Sequence, residues 1–455
     1  MRRVSVIALL LAFALVAAAC GSDSDDTTTT TAATTTTTQA SGGGDDTTTT
    51  TTPPPTEIAT DVGVDLEAGT ITIGLLTDLT GVFAFLVQGI VDAYVAYWED
   101  VNASGGVNGL MVDVEVFDTS YQADQTVIGY QELKDQVVAF GHSVGSPQTV
   151  GIQPDLEEDG ILAIPLTWYS GWTDPRFSSA LIHHGAPYCV EAMNILDYLA
   201  GDMGMADAKV AIASLPGDYG LDSAAGATLA TAALGLEVVL DLSGGIIPGE
   251  DMKPIADQIV ASGADIVFVT TEPNLTFPAI YQGAIAQGFE AVWTGAAPTY
   301  STQFLTSDFA EEFERDWYGF SYYEVWGGES AGAQAVRDLM AEQRPDLGPF
   351  DYYGEGVVEA TILHRGLLRA MENGDMTQAG VLAAVKSFEA LEFDGLAPPE
   401  NYVGTPDEQL QRIGYITKPS LEDLAAGGSG TVILESNYSG PTAQSFVFEE
   451  ACFSL

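Results

Sequence analysis

The chain has 455 residues, and 64 Asp and Glu against 14 Lys and Arg give it a formal net charge of −50 at pH 7. Phosphate binding needs a basic surface, so nucleic acid is excluded as a partner. Such acidity suits a solvated, self-repelling surface and carries no information about fold.

At the start, Met1-Arg2-Arg3 is a short positive region, and Val4 to Ala19 is apolar apart from Ser5. These are the two leading parts of a secretory signal, and the run is too short for a membrane-spanning helix. Small residues, Val16-Ala17-Ala18-Ala19, then precede Cys20. This resembles the lipobox of bacterial lipoproteins, with Ala17 where leucine is commonest, and implies that residues 1–20 end in a lipidated Cys20. The remaining chain, about 435 residues, is long enough for two or three domains.

Residues 21–60 read as a tether. They are mostly Thr, Ser, Gly, Asp, Ala and Pro, with threonine runs at 27–31, 34–38 and 47–52. Such a composition cannot bury a core, and a flexible segment of this length spans roughly 30–40 Å. The two other cysteines, Cys189 and Cys452, are free to pair in an oxidising compartment if Cys20 carries lipid. The alternative is two separate buried thiols, because sequence alone does not place them within bonding distance.

From Asp65 the composition becomes globular. Thr70 to Leu76 reads as a buried strand, and Phe83 to Asn102 as a helix with Phe83, Leu86, Val87, Ile90, Tyr94, Tyr97, Trp98 and Val101 at helical spacing. Gly105-Gly106 stops it. Strand Val112 to Phe117, helix Gln122 to Lys134, strand Val137 to Gly141 and strand Ile161 to Ile164 follow. The pattern then restarts. Strand Lys209 to Leu215, an alanine-rich helix after Gly220, strand Leu236 to Leu240 and helix Met252 to Ala261 lead to strand Asp265 to Thr271. Helix Phe277 to Gln287 and strand Ala291 to Gly295 close the series. Two runs of alternating strands and helices predict an α/β fold of two doubly wound parallel-sheet lobes. Each leaves a crevice beyond the carboxyl ends of its strands.

Thr80-Gly81 and the later turn Asn102-Ala103-Ser104-Gly105-Gly106-Val107-Asn108-Gly109 resemble the first helix and turn of type I periplasmic binding proteins, in particular the leucine/isoleucine/valine-binding receptors of ABC importers. Gly141-His142-Ser143, Glu158 to Leu162, Asp218-Tyr219-Gly220 and Ala286 to Phe289 match in the same order, so the resemblance runs from about Gly69 to Ser420. It implies two lobes that close on a ligand and are joined by three crossings, near His184, Phe320 and Phe393. Lobe 1 is then residues 65–186 with 322–393, and lobe 2 residues 187–321 with 394–455. It further implies an extracytoplasmic, lipid-anchored monomer that binds an amino acid or related small organic solute (an amide or organic acid) and meets permease subunits, with no cofactor and no catalysis. A sensor of the same fold serving a signalling partner is the alternative.

The same resemblance supplies site residues. Ser146 or Ser143 matches a carboxylate-binding serine, the alternative for Ser146 being a helix cap before Pro147. Thr167 matches one ligand contact and Tyr169 or Ser170 another; Tyr219 matches a tyrosine that packs on the ligand. Phe85 and Phe350 fall beside positions that touch its side chain, and Trp168 and Trp172 are open to stacking or to core roles. One departure stands out. Where these receptors carry a glutamate for the ligand ammonium, the loop here is Gly295-Ala296-Ala297-Pro298. Either Glu272 replaces it or the ligand lacks an ammonium, since an unpaired buried ammonium is costly. The latter admits amides, urea-like solutes, and aromatic or other carboxylic acids.

A rival reading rests on Gly141-His142-Ser143-Val144-Gly145, which fits the nucleophile elbow of serine hydrolases. It needs a histidine late in the chain, yet His142, His183 and His184 come early and His364 lies in a helical run, Val357 to Met371. His183-His184 has no spaced cysteine or carboxylate cluster near it in sequence, so it reads as a crossing segment and no metal site is expected.

Overall fold

The structure, a computed structural model, describes residues 57–454. The expected signal, Cys20 and all but the last residues of the expected tether lie outside the described residues. Within the described part, Ala59–Thr60 already pairs in parallel with Asp375–Met376.

Two parallel sheets carry the fold, as the alternation predicts. In the first, Met111–Asp118, Thr70–Thr77, Phe140–Val144 and Ala163–Leu166 lie side by side in that order. The hairpin strand Val64–Asp65 adds an antiparallel pair to Thr70-Ile71. Every residue from Ile73 to Thr77 is buried, because helices cover both faces; a strand in such a sheet is a continuous apolar run rather than an alternating one. In the second sheet the order is Val292–Thr294, Ile266–Thr270, Lys209–Ser214 and Glu237–Leu242, again all parallel.

The third strand of the first sheet is Phe140–Val144, three residues beyond the expected Val137 to Gly141. His142 and Ser143 look like turn residues in sequence. Both are fully buried inside the strand, paired to Leu75 and Leu76, and their polar atoms have partners. The strand ends at Gly145, whose φ of 84° lies in the left-handed region that favours glycine. Ser143 is therefore not at an elbow: its hydroxyl meets Thr149 Oγ1 at 2.8 Å.

Helix Ala84–Ala103 lies against helices Ala331–Gln343 and Tyr353–Asn373. The second contact is close because Gly356 has no side chain; a Cβ there would sit 2.1 Å from the carbonyl oxygen of Ile90. A third, antiparallel sheet joins Gly319–Ser321, Gly414–Pro419 and Thr431–Tyr438. Nothing in the sequence pattern announces it, since its first strand is three residues long and its partner lies far along the chain.

The C-terminal tail is strapped down. Cys189 and Cys452 form a disulfide, as expected from the cysteine arithmetic. Around it, Asn194 and Asp197 of helix Tyr188–Gly201 accept the amides of Gly440 and Thr442. Tyr169 donates to Phe453 O, and the Cys452 amide to Ser170 Oγ. The tail thus ties the loop after Ala163–Leu166 to the helix that precedes the second sheet.

Candidate functional site

A cavity opens at the carboxyl ends of the first-sheet strands Phe140–Val144 and Ala163–Leu166, where doubly wound folds hold their ligands. It contains about 460 Å³ of space free of protein atoms, part of it open to solvent. Phe83, Leu86, Val87 and Ile90 form one wall. Their spacing places them on a single face of the helical segment that begins the fold. Val144, Gly145 and Leu166 through Trp168 form the floor, and Tyr121 and Tyr188 fill the corners. From the second-sheet side come Tyr219, at the start of helix Asp218–Leu234, and Pro298. Tyr352 closes the rim.

Aromatic contacts knit these walls together. Phe83 lies 4.8 Å from Tyr121 and 6.2 Å from Tyr219, centroid to centroid, so the Tyr219 ring crosses the opening to touch the opposite wall. Tyr188 and Tyr219 are 4.9 Å apart. Trp168 stacks on Tyr322 at 4.2 Å and 14°.

Most of the polar atoms on these rings and hydroxyls point into the protein. Tyr219 Oη donates to Thr271 O and also meets Thr299 Oγ1, each at 3.1 Å. Tyr352 Oη donates to Ala297 O at 2.9 Å. The Thr167 hydroxyl is bonded to that of Ser146 and lies 3.3 Å from Tyr188 Oη. What the cavity receives is therefore ring faces and aliphatic carbon. Two polar features remain beside it: Trp168 Nε1 has no hydrogen-bond partner, and helix Ser146–Asp159 begins next to Gly145, where the first amides of a helix have no partner within it.

Two acids stand behind the lining. Burial raises the Asp218 carboxyl to about 6, and its Oδ2 has no hydrogen-bond partner. Glu191 is pushed well above the ordinary carboxylate range by burial, while the Ala297 amide and the Tyr322 hydroxyl donate to it.

Of the residues singled out in the sequence, Thr167, Trp168 and Tyr219 line the cavity, and Ser146 sits directly behind Thr167. Ser146 is the first residue of its helix, after Gly145, and its hydroxyl does not cap that helix. The others lie elsewhere. Tyr169 and Trp172 pack on each other and on Phe177 in a separate core. Ser170 donates to Asp222. Ser143 is bonded to Thr149, and Phe85 packs edge-on against Phe350, their centroids 5.5 Å apart. Glu272 receives the amides of Asn274, Leu275 and Thr276 and so caps helix Thr276–Ile285. The sequence reading missed Tyr121, Tyr188, Pro298 and Tyr352 among the lining residues, and it did not assign Phe83, Leu86, Val87 and Ile90 to the site. Their helical spacing was visible, but it is also the signature of ordinary core.

Two parallel α/β sheets with an apolar cavity at the carboxyl ends of their strands are the arrangement in which doubly wound folds place a small-molecule site. The sequence profile of the periplasmic binding protein family matches residues 70–423. The chain belongs to that family, and its fold is that of the type I, leucine/isoleucine/valine-binding receptors. Such proteins are the extracytoplasmic substrate-binding components of ABC transporters and meet both a small molecule and permease subunits.

Among solved structures, the chain is similar to a fatty acid ABC transporter substrate-binding protein from Thermomonospora curvata. The two are 26% identical over 86% of this chain and 97% of the other, with a TM-score of 0.78. A branched-chain amino acid transporter protein from Thermus thermophilus with bound valine has 18% identity, 82% and 97% coverage and a TM-score of 0.69. A solute-binding protein from R. palustris in complex with 4-hydroxybenzoate has 17% identity, 82% and 98% coverage and a TM-score of 0.68. A search of curated protein sequences yields no significant match. No helix among the described residues is long and apolar enough to cross a membrane.

Proposed function

We propose that this receptor captures a small organic acid with an apolar body and delivers it to an ABC permease. In this reading Cys20 and the threonine-rich segment hold it at the membrane surface. Residues 65–186 with 322–393 form one lobe and 187–321 with 394–455 the other. The packing of helix Tyr353–Asn373 on helix Ala84–Ala103 supports that division. Ligand binds first to the wall around Thr167, and closure brings Tyr219 and Pro298 onto it. It favours the closed form only by its extra contacts there.

The observation that carries the ligand class is the cavity lining: aliphatic and ring carbon, with the hydroxyls of Thr167, Tyr219 and Tyr352 engaged by the protein. A carboxylate suits the start of the helix at Ser146, which directly follows the lining residue Gly145, because a helix begins with unpartnered amides and a positive dipole end. No acid lines the cavity to hold an ammonium, and Glu272 is already occupied by three backbone amides. The fatty acid ABC transporter substrate-binding protein from Thermomonospora curvata, 26% identical, bears on the same class.

Calorimetric titration with straight-chain carboxylates from butanoate to decanoate tests this. Each added methylene should contribute about 0.8 kcal/mol, a roughly fourfold gain in affinity, until the cavity is full. Affinity independent of chain length, or no binding by any of the series, would overturn the proposed ligand class.

A further inference from the structure

Between strand Ala163–Leu166 and helix Tyr188–Gly201 the chain runs through His183 and His184, buried to 4% and 3% exposure. Opposite His184, on helix Tyr353–Asn373, stand Glu355 and Glu359, one turn apart and so on one face of the helix, at 1% and 0% exposure. Nε2 of His184 lies 2.5 Å from Oε1 of Glu355 and 4.0 Å from Oε1 of Glu359. One donor atom from each of the three residues falls within 4.8 Å of the other two.

Two further observations make this more than a group of acids. Glu359 Oε1, fully buried and turned toward His184, has no hydrogen-bond partner. A buried carboxyl oxygen without a partner is costly. The other oxygen of Glu359 is held from outside the cluster: His142 Nδ1 lies 2.8 Å from Oε2, and His142 Nε2 lies 3.1 Å from Thr77 Oγ1. An outer contact of this kind is what orients a metal-binding carboxylate.

We infer that His184, Glu355 and Glu359 form a buried site for one divalent transition-metal ion of the zinc or manganese class. One imidazole with two carboxylates is a nitrogen-oxygen donor set suited to these ions, whereas calcium takes six to eight oxygens. The spacing also suits it. A tetrahedral ion with bonds of about 2.0–2.1 Å sets its donor atoms about 3.3 Å apart. That lies between the 2.5 and 4.0 Å separations of His184 Nε2 from the two glutamates, so a small shift of His184 satisfies both.

The place of the site gives it a consequence. It pins the segment leading into helix Tyr188–Gly201 to a helix packed on Ala84–Ala103. Trp168, which lines the cavity, lies against the His184 ring at 5.7 Å. The ion would sit one aromatic ring behind the ligand wall and stiffen it. The inference does not depend on which ligand the cavity takes.

The test is metal binding by the chelator-stripped chain, followed by titration with zinc and, separately, manganese. It is run at ~0.5 M salt, so that loose attraction to the acidic surface is screened. We expect about one tightly held equivalent per chain by elemental analysis and a higher melting temperature on loading. Glu359→Gln, which keeps the side chain's shape, should weaken binding at least 100-fold, as should His184→Gln (~100-fold is the scale of lost metal-site contacts). Cobalt substitution gives a second readout that does not rely on the variants: its visible absorption should show the intensity of low-coordinate nitrogen-oxygen ligation. Less than about a tenth of an equivalent in the wild-type chain would overturn the inference, as would equal binding by Glu359→Gln.

Discussion

Tyr219→Ala should weaken ligand binding about 100-fold while the receptor stays folded, and Tyr219→Phe should change it by no more than about threefold. The ring reaches the cavity from helix Asp218–Leu234 on the second-sheet side and lies against Phe83 on the opposite wall. Truncation leaves the ligand without that cover and lets water into the closed cleft, a loss on the scale of an interface hot spot, about 2–4 kcal/mol. The hydroxyl serves another purpose. It is bonded to Thr271 and Thr299 within the protein, so removing it alone should cost about 1 kcal/mol of stability and leave affinity nearly unchanged. Isothermal titration of the two variants separates the roles. Equal losses in both would mean that the hydroxyl, not the ring face, meets the ligand.

The second large effect concerns the tail. Replacing Cys189 and Cys452 by serine should lower the free energy of unfolding by about 2–5 kcal/mol. The bond closes a loop of sequence separation 263, so it removes much conformational freedom from the unfolded chain. The remaining ties, Asp197 to Thr442, Asn194 to Gly440 and Tyr169 to Phe453, are hydrogen bonds worth about 1 kcal/mol each and cannot replace it. Urea unfolding of the oxidised, reduced and double-serine proteins measures this. The reduced and double-serine forms should share one lowered midpoint; identical midpoints for all three would show that the tail contacts alone hold the strap.

How far the sequence led depends on the range of the interaction concerned. Thr70–Thr77, Lys209–Ser214 and Ile266–Thr270 are short apolar runs between turn signals, and a buried parallel strand leaves that pattern wherever it occurs. Phe140–Val144 was misplaced by three residues because His142 and Ser143 look like the end of a strand. Their partners, Glu359, Thr77 and Thr149, come mostly from elsewhere in the chain. The antiparallel sheet of Gly319–Ser321 with Gly414–Pro419 was invisible for the same reason.

The site divides in the same way. Thr167, Trp168 and Tyr219 follow strands at the carboxyl end, a position that sequence order can give. Phe83, Leu86, Val87 and Ile90 could not be separated from core, because a helix face against a cavity and one against a sheet have the same period. Glu272 shows the opposite failure. An acid just after a strand suggested an ammonium partner, yet the backbone amides of Asn274, Leu275 and Thr276, leading into the next helix, already bond its carboxylate.

The proposed ligand class, an apolar carboxylate without an ammonium, rests on a cavity with no acid among its lining residues. Leucine and 4-methylpentanoate, which have the same carbon skeleton apart from the amino group, address that directly in a paired calorimetric titration. 4-Methylpentanoate should bind and leucine should bind at least 100-fold more weakly, since leaving an ammonium unpaired in the closed cleft costs several kcal/mol (~3 kcal/mol suffices for that factor). Leucine binding as tightly as its deaminated analogue, or more tightly, would contradict the account and place an ammonium partner in the cleft.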